Sequence, residues 1–412
     1  MIRRFILQNS APLIDQGLSS GTNFVAVLAV ARAIGVADFG VFALAYTALT
    51  IVLGIGRAFF GTPIALAAAD SSESLGRLHS SAMSAIAILA IPLAVAVSVV
   101  GAFALGTSPS EVAYLAVIAV AVATPLVLAQ DISRYYAMAK SEPGTAVASD
   151  TVWFVGVVIL FLVGETLDDS GVLLVWVLVI MAALVIFLVK YPFRFDLRGG
   201  LDLLKPKAGL KESLAVSVLL STGLTLVMGF LMLPFLGAAA AGALRGAGTL
   251  FGPLNTLIAL LDFSILAQLS RRERSSDRRT VSVITIAMCA ISAAWAVALL
   301  LLPQAAGVAL LGDTWQNTRA ILPITAIEYV LLCVTAGVSL LLKLRDRGPS
   351  LLLNRVAASI TILVFTITAL LLGGGLEWMA TALLAGALVS AVGMLYSGLT
   401  AERRDAGAAT EP

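Results

Sequence analysis

The chain has 412 residues, of which 60% are hydrophobic and 12% charged, and its mean hydropathy is +1.02. Soluble globular chains are about 45–50% apolar and about 25% charged. This composition therefore excludes a soluble protein, a secreted domain and an enzyme with a large cytosolic catalytic half. The formal net charge of +2 gives no indication of nucleic-acid binding, and we expect none.

Long apolar segments recur along the whole chain and predict an all-α polytopic membrane protein. A helix needs roughly 20 apolar residues to cross about 30 Å of hydrocarbon, and by this length we predict twelve transmembrane helices in two pseudo-symmetric six-helix lobes. Their predicted bounds are 11–34, 39–69, 80–105, 112–133, 147–164, 172–190, 213–236, 239–268, 280–303, 319–342, 352–372 and 377–400.

The basic residues lie almost all on one side of the predicted spans. With a cytoplasmic N-terminus, 22 of the 26 Lys and Arg residues fall in cytoplasmic segments, and the exceptions are Arg32, Arg57, Arg245 and Arg319. Cytoplasmic loops of membrane proteins carry an excess of Lys and Arg. The sequence therefore predicts that both termini are cytoplasmic.

An internal repeat relates the two halves at an offset of 202 residues. Nine of the thirty positions 18–47 are identical to their counterparts in 220–249, including Gly35 with Gly237 and Gly40 with Gly242. Both copies start inside, so the repeats are parallel. The predicted division is an N-terminal lobe, a basic cytoplasmic linker, a C-terminal lobe and a tail, at 1–190, 191–212, 213–400 and 401–412.

The residues that metal and acid–base chemistry require are scarce. Cys289 and Cys333 fall inside apolar runs, which is typical of buried core cysteines rather than of a disulfide or metal pair. The single histidine, His79, lies in a predicted polar connector, so a catalytic serine or cysteine in the membrane would lack a histidine base. We predict no catalytic residue, no metal and no cofactor.

The first predicted helix carries a polar face. Asp15, Ser19, Thr22 and Asn23 recur at a spacing of three to four residues, with Gln16 beside them. Such residues lie on one side of a helix, and lipid would not tolerate them. We expect this face to line a water-filled cavity between the lobes; in the alternative, the hydroxyl groups bond back to their own helix.

Four ionisable residues interrupt the predicted spans. Arg57 and Arg245 lie at different depths, and either they bind phosphate, one toward each leaflet, or their side chains extend to lipid head groups. Glu328 falls near mid-membrane and requires a basic partner, a bound cation or a proton. Asp262 could face the same cavity, although solvation at the membrane surface explains it equally well. Glu328 and Asp262 are the ion-coupling candidates.

Short motifs over the whole chain resemble bacterial polysaccharide flippases of the multidrug/oligosaccharidyl-lipid/polysaccharide (MOP) exporter superfamily. They are LIDQGLSSGTNF at 13–24, ARAIG at 31–35, FGVF at 39–42, GPLN at 252–255 and LGDTW at 311–315. The resemblance implies a V-shaped pair of lobes in the bacterial plasma membrane. Such a protein moves a polyprenyl-pyrophosphate-linked oligosaccharide from the inner to the outer leaflet and is commonly coupled to protons, Na⁺ or the membrane potential.

The resemblance also implies site residues and partners. Carried over by position, Arg57 and Arg245 would be cavity cations, and Asp15, Gln16 and Asn255 would line the passage. The implied partners are the lipid-linked oligosaccharide, protons or Na⁺, membrane lipids, and a polysaccharide polymerase or export machinery.

Two other functions stay open. A cation-coupled multidrug exporter of the same superfamily would favour an acidic cavity, whereas the intramembrane charges here are mixed. A membrane glycosyltransferase or polymerase usually needs a large outer loop, and the longest predicted one, 304–318, has only fifteen residues. The sequence therefore favours a transporter over an enzyme.

The charge asymmetry gives a testable topology. Cysteines introduced at Ser275 and Gln304 of a variant without Cys289 and Cys333 should differ in labelling by an impermeant thiol reagent added to intact cells. We expect Gln304→Cys to be labelled and Ser275→Cys to be protected until the membrane is opened. Labelling of Ser275→Cys from outside would overturn the orientation.

Overall fold

The computed structural model describes residues 10–67, 72–106, 110–205, 215–216, 218–260, 277–344 and 348–408. Within these ranges the backbone is helical, with short connections and no strand. The helices are α1 (Ser10–Ala33), α2 (Val36–Gly56, a π-helical turn Arg57–Gly61 and Thr62–Leu66), α3 (Ser72–Leu105), α4 (Glu111–Ala139), α5 (Pro143–Val163), α6 (Asp169–Lys190), α7 (Leu197–Leu204), α8 (a π-helical turn Leu219–Gly223 and Leu224–Leu236), α9 (Ala238–Leu250), α10 (Gly252–Leu260), α11 (Asp277–Leu300), α12 (Gln304–Leu311), α13 (Thr314–Leu344), α14 (Gly348–Leu371) and α15 (Leu376–Ala408).

The all-α membrane fold predicted from the sequence is confirmed. Every predicted span is mostly helical over its described residues, although the span predicted at 239–268 is divided at Phe251 into α9 and α10. In the described part of the chain, nine helices are long and apolar enough to cross a membrane: α2 to α6, α11, and α13 to α15. The remaining predicted spans correspond to α1, which is more polar, and to the shorter pieces α8, α9 and α10.

Large apolar side chains lie exposed along several of these helices. Ile91 and Phe103 on α3, Leu162 on α5, and Leu353 on α14 are each more than two-thirds exposed. A soluble monomer rarely presents apolar surface on this scale. These faces are suited to contact with lipid chains, as expected of a multi-pass membrane protein.

Two of the predicted helix bounds that are wrong concern polar residues, because each error assigned a helical polar residue to a connector. α4 continues past the predicted end at 133 to Ala139, so Arg134 is a buried helical residue and not a charge in a cytoplasmic connector. α3 begins at Ser72, so His79 is also helical. The His79 ring is buried and stacks on Tyr136 at 4.1 Å between ring centroids. Tertiary partners thus allow these polar side chains to be buried in helices.

The chain packs as two compact units. The first comprises Met1–Gly246 with Val308–Thr314, and the second comprises Ala247–Gly307 with Trp315–Pro412. The predicted lobes at 1–190 and 213–400 are a division by repeat, whereas these units are a division by packing. The lobe bounds therefore stay a prediction from the sequence.

Glycines that correspond in the two repeats meet within the first unit. The Cβ position of Gly242 lies 3.3 Å from the backbone nitrogen of Gly40, and a Cβ on Gly40 would overlap the carbonyl oxygen of Ala238. Only glycine permits two helices to approach so closely. The turns before these helices also correspond, because Gly35 precedes α2 and Gly237 precedes α9.

The π-helical turn in α2 has a local cause. Pro63 has no backbone N–H to donate and its ring clashes with the carbonyl four residues earlier, so a regular α-helix is disfavoured here. The N–H of Thr62 instead bonds the carbonyl of Arg57, five residues back. Arg57 is the first residue of this turn, and the widened backbone sets its position.

Candidate functional site

Arg57 forms a two-pronged ion pair with Asp131 of α4. Its Nε lies 2.7 Å from Oδ2 and its Nη2 lies 2.9 Å from Oδ1. The side chain of Asp131 is only 5% exposed, whereas that of Arg57 is 46% exposed. The planar guanidinium matches a carboxylate in this geometry, and one side of the arginine stays open.

Asp131 also belongs to a larger buried network. Arg134 Nη1 lies 3.2 Å from Asp131 Oδ1, and Arg134 Nε lies 3.2 Å from Oδ2 of Asp150 on α5. Gln130 donates its Nε2 to Asp150 Oδ1 at 2.7 Å. We call Arg57, Asp131, Arg134 and Asp150 the charge network.

The charge network holds two positive and two negative groups, so it is formally neutral. An unpaired charge at this position would cost several kcal/mol even after relaxation, and pairing with additional hydrogen bonds offsets that cost. The network also joins α2, α4 and α5 through side chains. It therefore connects the position of Arg57 to the packing of three helices.

Arg245 takes part in a second set of polar contacts, which involves side chains of α2 and α1. Its guanidinium lies over the ring of Tyr46, 4.7 Å from the centroid. The Tyr46 hydroxyl donates to Asn23 Oδ1 at 2.8 Å. Asn23 Nδ2 in turn bonds the backbone carbonyl of Ser19 at 3.0 Å.

Ser19 connects this contact to the charge network. Its hydroxyl oxygen accepts a bond from Arg134 Nη1 at 3.0 Å. A continuous set of polar contacts therefore runs through the first unit, and we call it the polar path. Its members are Arg245, Tyr46, Asn23, Ser19, Arg134, Asp131 and Arg57.

The polar path extends over a considerable depth of the helices. Tyr46 and Arg57 are eleven residues apart on α2, which at 1.5 Å per residue is about 16 Å. Arg57 and Arg245 thus lie at the two ends of the polar path, joined through the side chains between them. Their membrane depths stay a prediction from the sequence, and the contacts that connect them were not predicted.

The polar face predicted on α1 is divided by the structure. Ser19 and Asn23 join the polar path, whereas Thr22 is buried and its hydroxyl has no hydrogen-bond partner among the described residues. The side chains of Asp15 and Gln16 lie outside the described residues, although both belong to α1.

Asn255 and Glu328, the other predicted site residues with described side chains, belong to the second unit. Asn255 Nδ2 donates to the hydroxyl of Tyr329 at 3.1 Å, and the Tyr329 ring stacks on Phe251 at 4.5 Å between centroids. Glu328 is partly buried next to Tyr329. Among the described residues it has no ion pair. Asp262 lies outside the described residues.

Asp131, Arg134, Asp150 and Tyr46 were not predicted as site residues. The first two are spaced i, i+3 on α4, and this spacing allows an ion pair on a helix surface. Gln130 immediately precedes them, so a polar cluster was visible at the end of an apolar run. Tyr46 gave no comparable indication in the sequence.

Comparison with solved structures supports this fold. No protein-family model and no curated protein matches the chain. Among solved structures, a lipid II flippase, MurJ, in an inward closed conformation has a TM-score of 0.70 and 14% identity, over 95% of this chain and 87% of that one. An inward-facing MATE-family multidrug-resistance transporter of the MOP superfamily has a TM-score of 0.69 and 12% identity, over 94% and 95%.

A further MATE structure, in a straight conformation, has a TM-score of 0.60 and 15% identity over 97% of this chain and 96% of that one. The chain therefore has the fold of MOP-superfamily transporters along nearly its whole length.

Removal of the carboxylate that Arg57 and Arg134 share should destabilise the protein. In Asp131→Asn, both arginines lose a negative partner, and we expect a loss of up to about 3 kcal/mol, the low end for a broken buried pair because Arg57 is half-exposed. The measurement is thermal unfolding of the full-length protein in detergent. The combined Arg57→Gln, Asp131→Asn variant should recover part of the loss.

The matched control is Glu73→Gln, which breaks the exposed pair between Glu73 and Arg77, 2.8 Å apart. Exposed pairs contribute about 0–1 kcal/mol, so its unfolding temperature should barely change. Equal shifts for the two single variants would contradict a stabilising charge network.

Proposed function

We propose that this protein is a transporter that moves a polyprenyl-pyrophosphate-linked oligosaccharide from the inner to the outer leaflet of a bacterial plasma membrane, for cell-surface polysaccharide export. The observation that carries the proposal is the polar path, which has an arginine at each end, Arg57 on the membrane-length helix α2 and Arg245 on the shorter helix α9. We infer that the protein works by alternating access, which repeated halves support in transporters.

The chemistry of the substrate explains why such a path is needed. A pyrophosphate and its sugars cannot cross hydrocarbon unaided, because burying ionised and hydroxyl groups without partners is too costly. Arginine keeps its charge when partly desolvated and binds phosphate oxygens through two donors. Tyrosine, asparagine and serine side chains along the polar path offer hydrogen bonds suited to sugar hydroxyls.

Arg57 is the more suitable end for phosphate binding. Its guanidinium is half-exposed while its partner Asp131 is buried, so an anion can approach the open side. If the anion takes over part of the guanidinium, Asp131 still has Arg134 at 3.2 Å. Phosphate binding at Arg57 therefore leaves Asp131 with one cationic partner, Arg134, which it shares with Asp150.

The fold comparisons are compatible with a lipid substrate. One structure with this fold is a lipid II flippase. As part of the proposal, we infer that this chain also transports a lipid-linked substrate. The neighbours are transporters and flippases, which favours transport over an enzymatic reaction.

A cation-coupled multidrug exporter is the second candidate. MATE-family multidrug-resistance structures share the fold, and Glu328 on α13 is a carboxylate without an ion-pair partner among the described residues. Such a group can bind a cationic drug or a coupling ion. In the flippase proposal, Glu328 instead carries the proton or Na⁺ that drives transport.

Substitution of the two arginines tests the substrate. In vesicles reconstituted with the pure protein, Arg57→Ala with Arg245→Ala should lower turnover of lipid-linked oligosaccharide at least about tenfold, because charged hydrogen bonds contribute about 1.5–3 kcal/mol each. Arg→Lys at both positions should restore only part of it, since lysine lacks the two-donor fork. Normal turnover by the double alanine variant would refute the proposal.

Two controls separate substrate binding from folding. Arg57→Ala, Asp131→Ala removes a neutral pair and should also be inactive while remaining folded. Arg319→Ala removes an arginine that is not a member of the polar path and whose Nη1 donates to Gln304 Oε1 at 2.9 Å, and this variant should transport normally.

Substitution of Glu328 tests ion coupling and separates the two candidate functions. Glu328→Gln keeps the shape and most hydrogen bonds but cannot titrate or hold a cation by charge. We expect this variant to lose transport driven by a pH or Na⁺ gradient while it still binds the lipid-linked substrate. Unchanged transport over a range of gradients would leave Glu328 a structural residue. Loss of cationic-drug export with normal oligosaccharide turnover would favour the multidrug exporter.

A further inference from the structure

The predicted cytoplasmic linker contains a short helix, α7, that is fixed on α3. The backbone N–H of Asp196 donates to Ser84 Oγ at 2.8 Å, and Asp196 Oδ1 accepts from the N–H of Gly199 at 3.0 Å as the N-terminal cap. Gly200 is buried, with its Cβ position 3.0 Å from the backbone nitrogen of Ala85. One face of α7 is therefore committed to protein contacts.

Hydrogen bonds also fix the start of the linker, and the two lysines beside it are paired with a carboxylate. Tyr191 donates its hydroxyl to Glu142 Oε2 at 2.8 Å, and Lys140 lies 3.2 Å and Lys190 3.9 Å from the same carboxylate. The hydrogen bonds from Tyr191 and Lys140 lower the pKa of Glu142. Glu142 is thus ionised at neutral pH, and these lysines have a carboxylate within the protein.

The opposite face of the segment is both apolar and basic. Phe195, Leu197 and Leu201 are 60%, 53% and 45% exposed. Arg194 and Arg198 are exposed among them. Over the ranges that the structure describes, neither guanidinium has a carboxylate within ion-pair distance.

This combination is costly in water and favourable at a membrane surface. Phenylalanine and leucine side chains on a basic helix enter the boundary between head groups and acyl chains, while arginines remain at the phosphates. The segment also continues directly from α6, whose last turn exposes Leu188 and Val189. Exposed apolar side chains are thus present both at the end of a predicted membrane span and on the linker that follows it.

We propose that Arg194 and the outward face of α7 form a binding site for anionic phospholipid. In this site Arg194 and Arg198 contact the head-group phosphates, and Phe195, Leu197 and Leu201 contact the upper acyl chains. The topology predicted from the basic residues places the site at the cytoplasmic leaflet, whose anionic lipids attract basic segments. The fixed inner face of α7 holds these groups ready for a lipid.

The test is a lipid titration of the purified full-length protein in detergent, followed by native mass spectrometry. Phosphatidylglycerol is the anionic probe and phosphatidylcholine with the same acyl chains is the neutral one. We expect Arg194→Gln, Arg198→Gln to lower the affinity for phosphatidylglycerol at least about fivefold, since each basic residue near an anionic surface contributes about 1 kcal/mol. Affinity for phosphatidylcholine should stay the same.

Three controls make the outcome decisive. Arg77→Gln removes another exposed arginine, which is paired with Glu73, and should leave phosphatidylglycerol binding unchanged. Arg194→Lys, Arg198→Lys keeps both charges and should restore most of the affinity. The double variant Phe195→Ser, Leu201→Ser should lower the affinity for both lipids, because it removes the apolar contact that both lipids make.

The proposal fails if the double glutamine variant, shown to be folded by its unfolding temperature, binds phosphatidylglycerol as tightly as the unchanged protein. It also fails if Arg77→Gln has an equal effect, because the binding would then depend only on net charge. Displacement of phosphatidylglycerol by millimolar inorganic phosphate would indicate a site for free phosphate rather than for lipid.

Discussion

The cost of burying charge among apolar helices determines how this molecule is built. Arg57 and Arg134 are retained in membrane-length helices only because Asp131 and Asp150 neutralise them at 2.7–3.2 Å. The same contacts join α2, α4 and α5, so the positions of these helices are linked to the integrity of the charge network. The proposed anion site at Arg57 is thereby embedded in the structural framework of the first unit.

The network is neutral as a whole but uneven in its accessibility. Asp131 has two cationic partners, whereas Arg57 has its carboxylate on one side and open space on the other. If Arg57 binds an anion on its open side, Asp131 therefore still has Arg134 as a cationic partner. The linker is built in a similar way. One face of α7 is fixed to α3 through Asp196 and Gly200, and the opposite face is exposed.

The spans could be predicted because the length of an apolar run is a local property of the sequence. Their ends were less predictable: Arg134 and His79 are polar, and a rule based on composition assigns them to connectors. Only their partners, Asp131 and Tyr136, explain why they are helical and buried. The depth difference between Arg57 and Arg245 followed from counting along the helices.

The connection between the two arginines could not be predicted in this way. It depends on Tyr46, which lies 199 residues from Arg245 in the chain, and a contact of that range leaves no periodic pattern. The hydrogen bond from Tyr46 to Asn23 likewise depends on how α1 and α2 pack. Residue type and spacing thus identified the ends of the polar path, whereas the contacts between its ends depend on the tertiary fold.

The meeting of Gly40 and Gly242 bears on the origin of the chain. These glycines are the same residue in two copies of one repeat, and a residue that contacts its own counterpart is the signature of a twofold isologous interface. An ancestral six-helix protein that dimerised about an axis normal to the membrane would have had this contact once, on the axis itself. Gene fusion frees each copy to diverge, and Gly242 now faces Phe39 as well as Gly40. The tight glycine crossing is thus the intramolecular equivalent of a contact on the axis of a symmetric dimer.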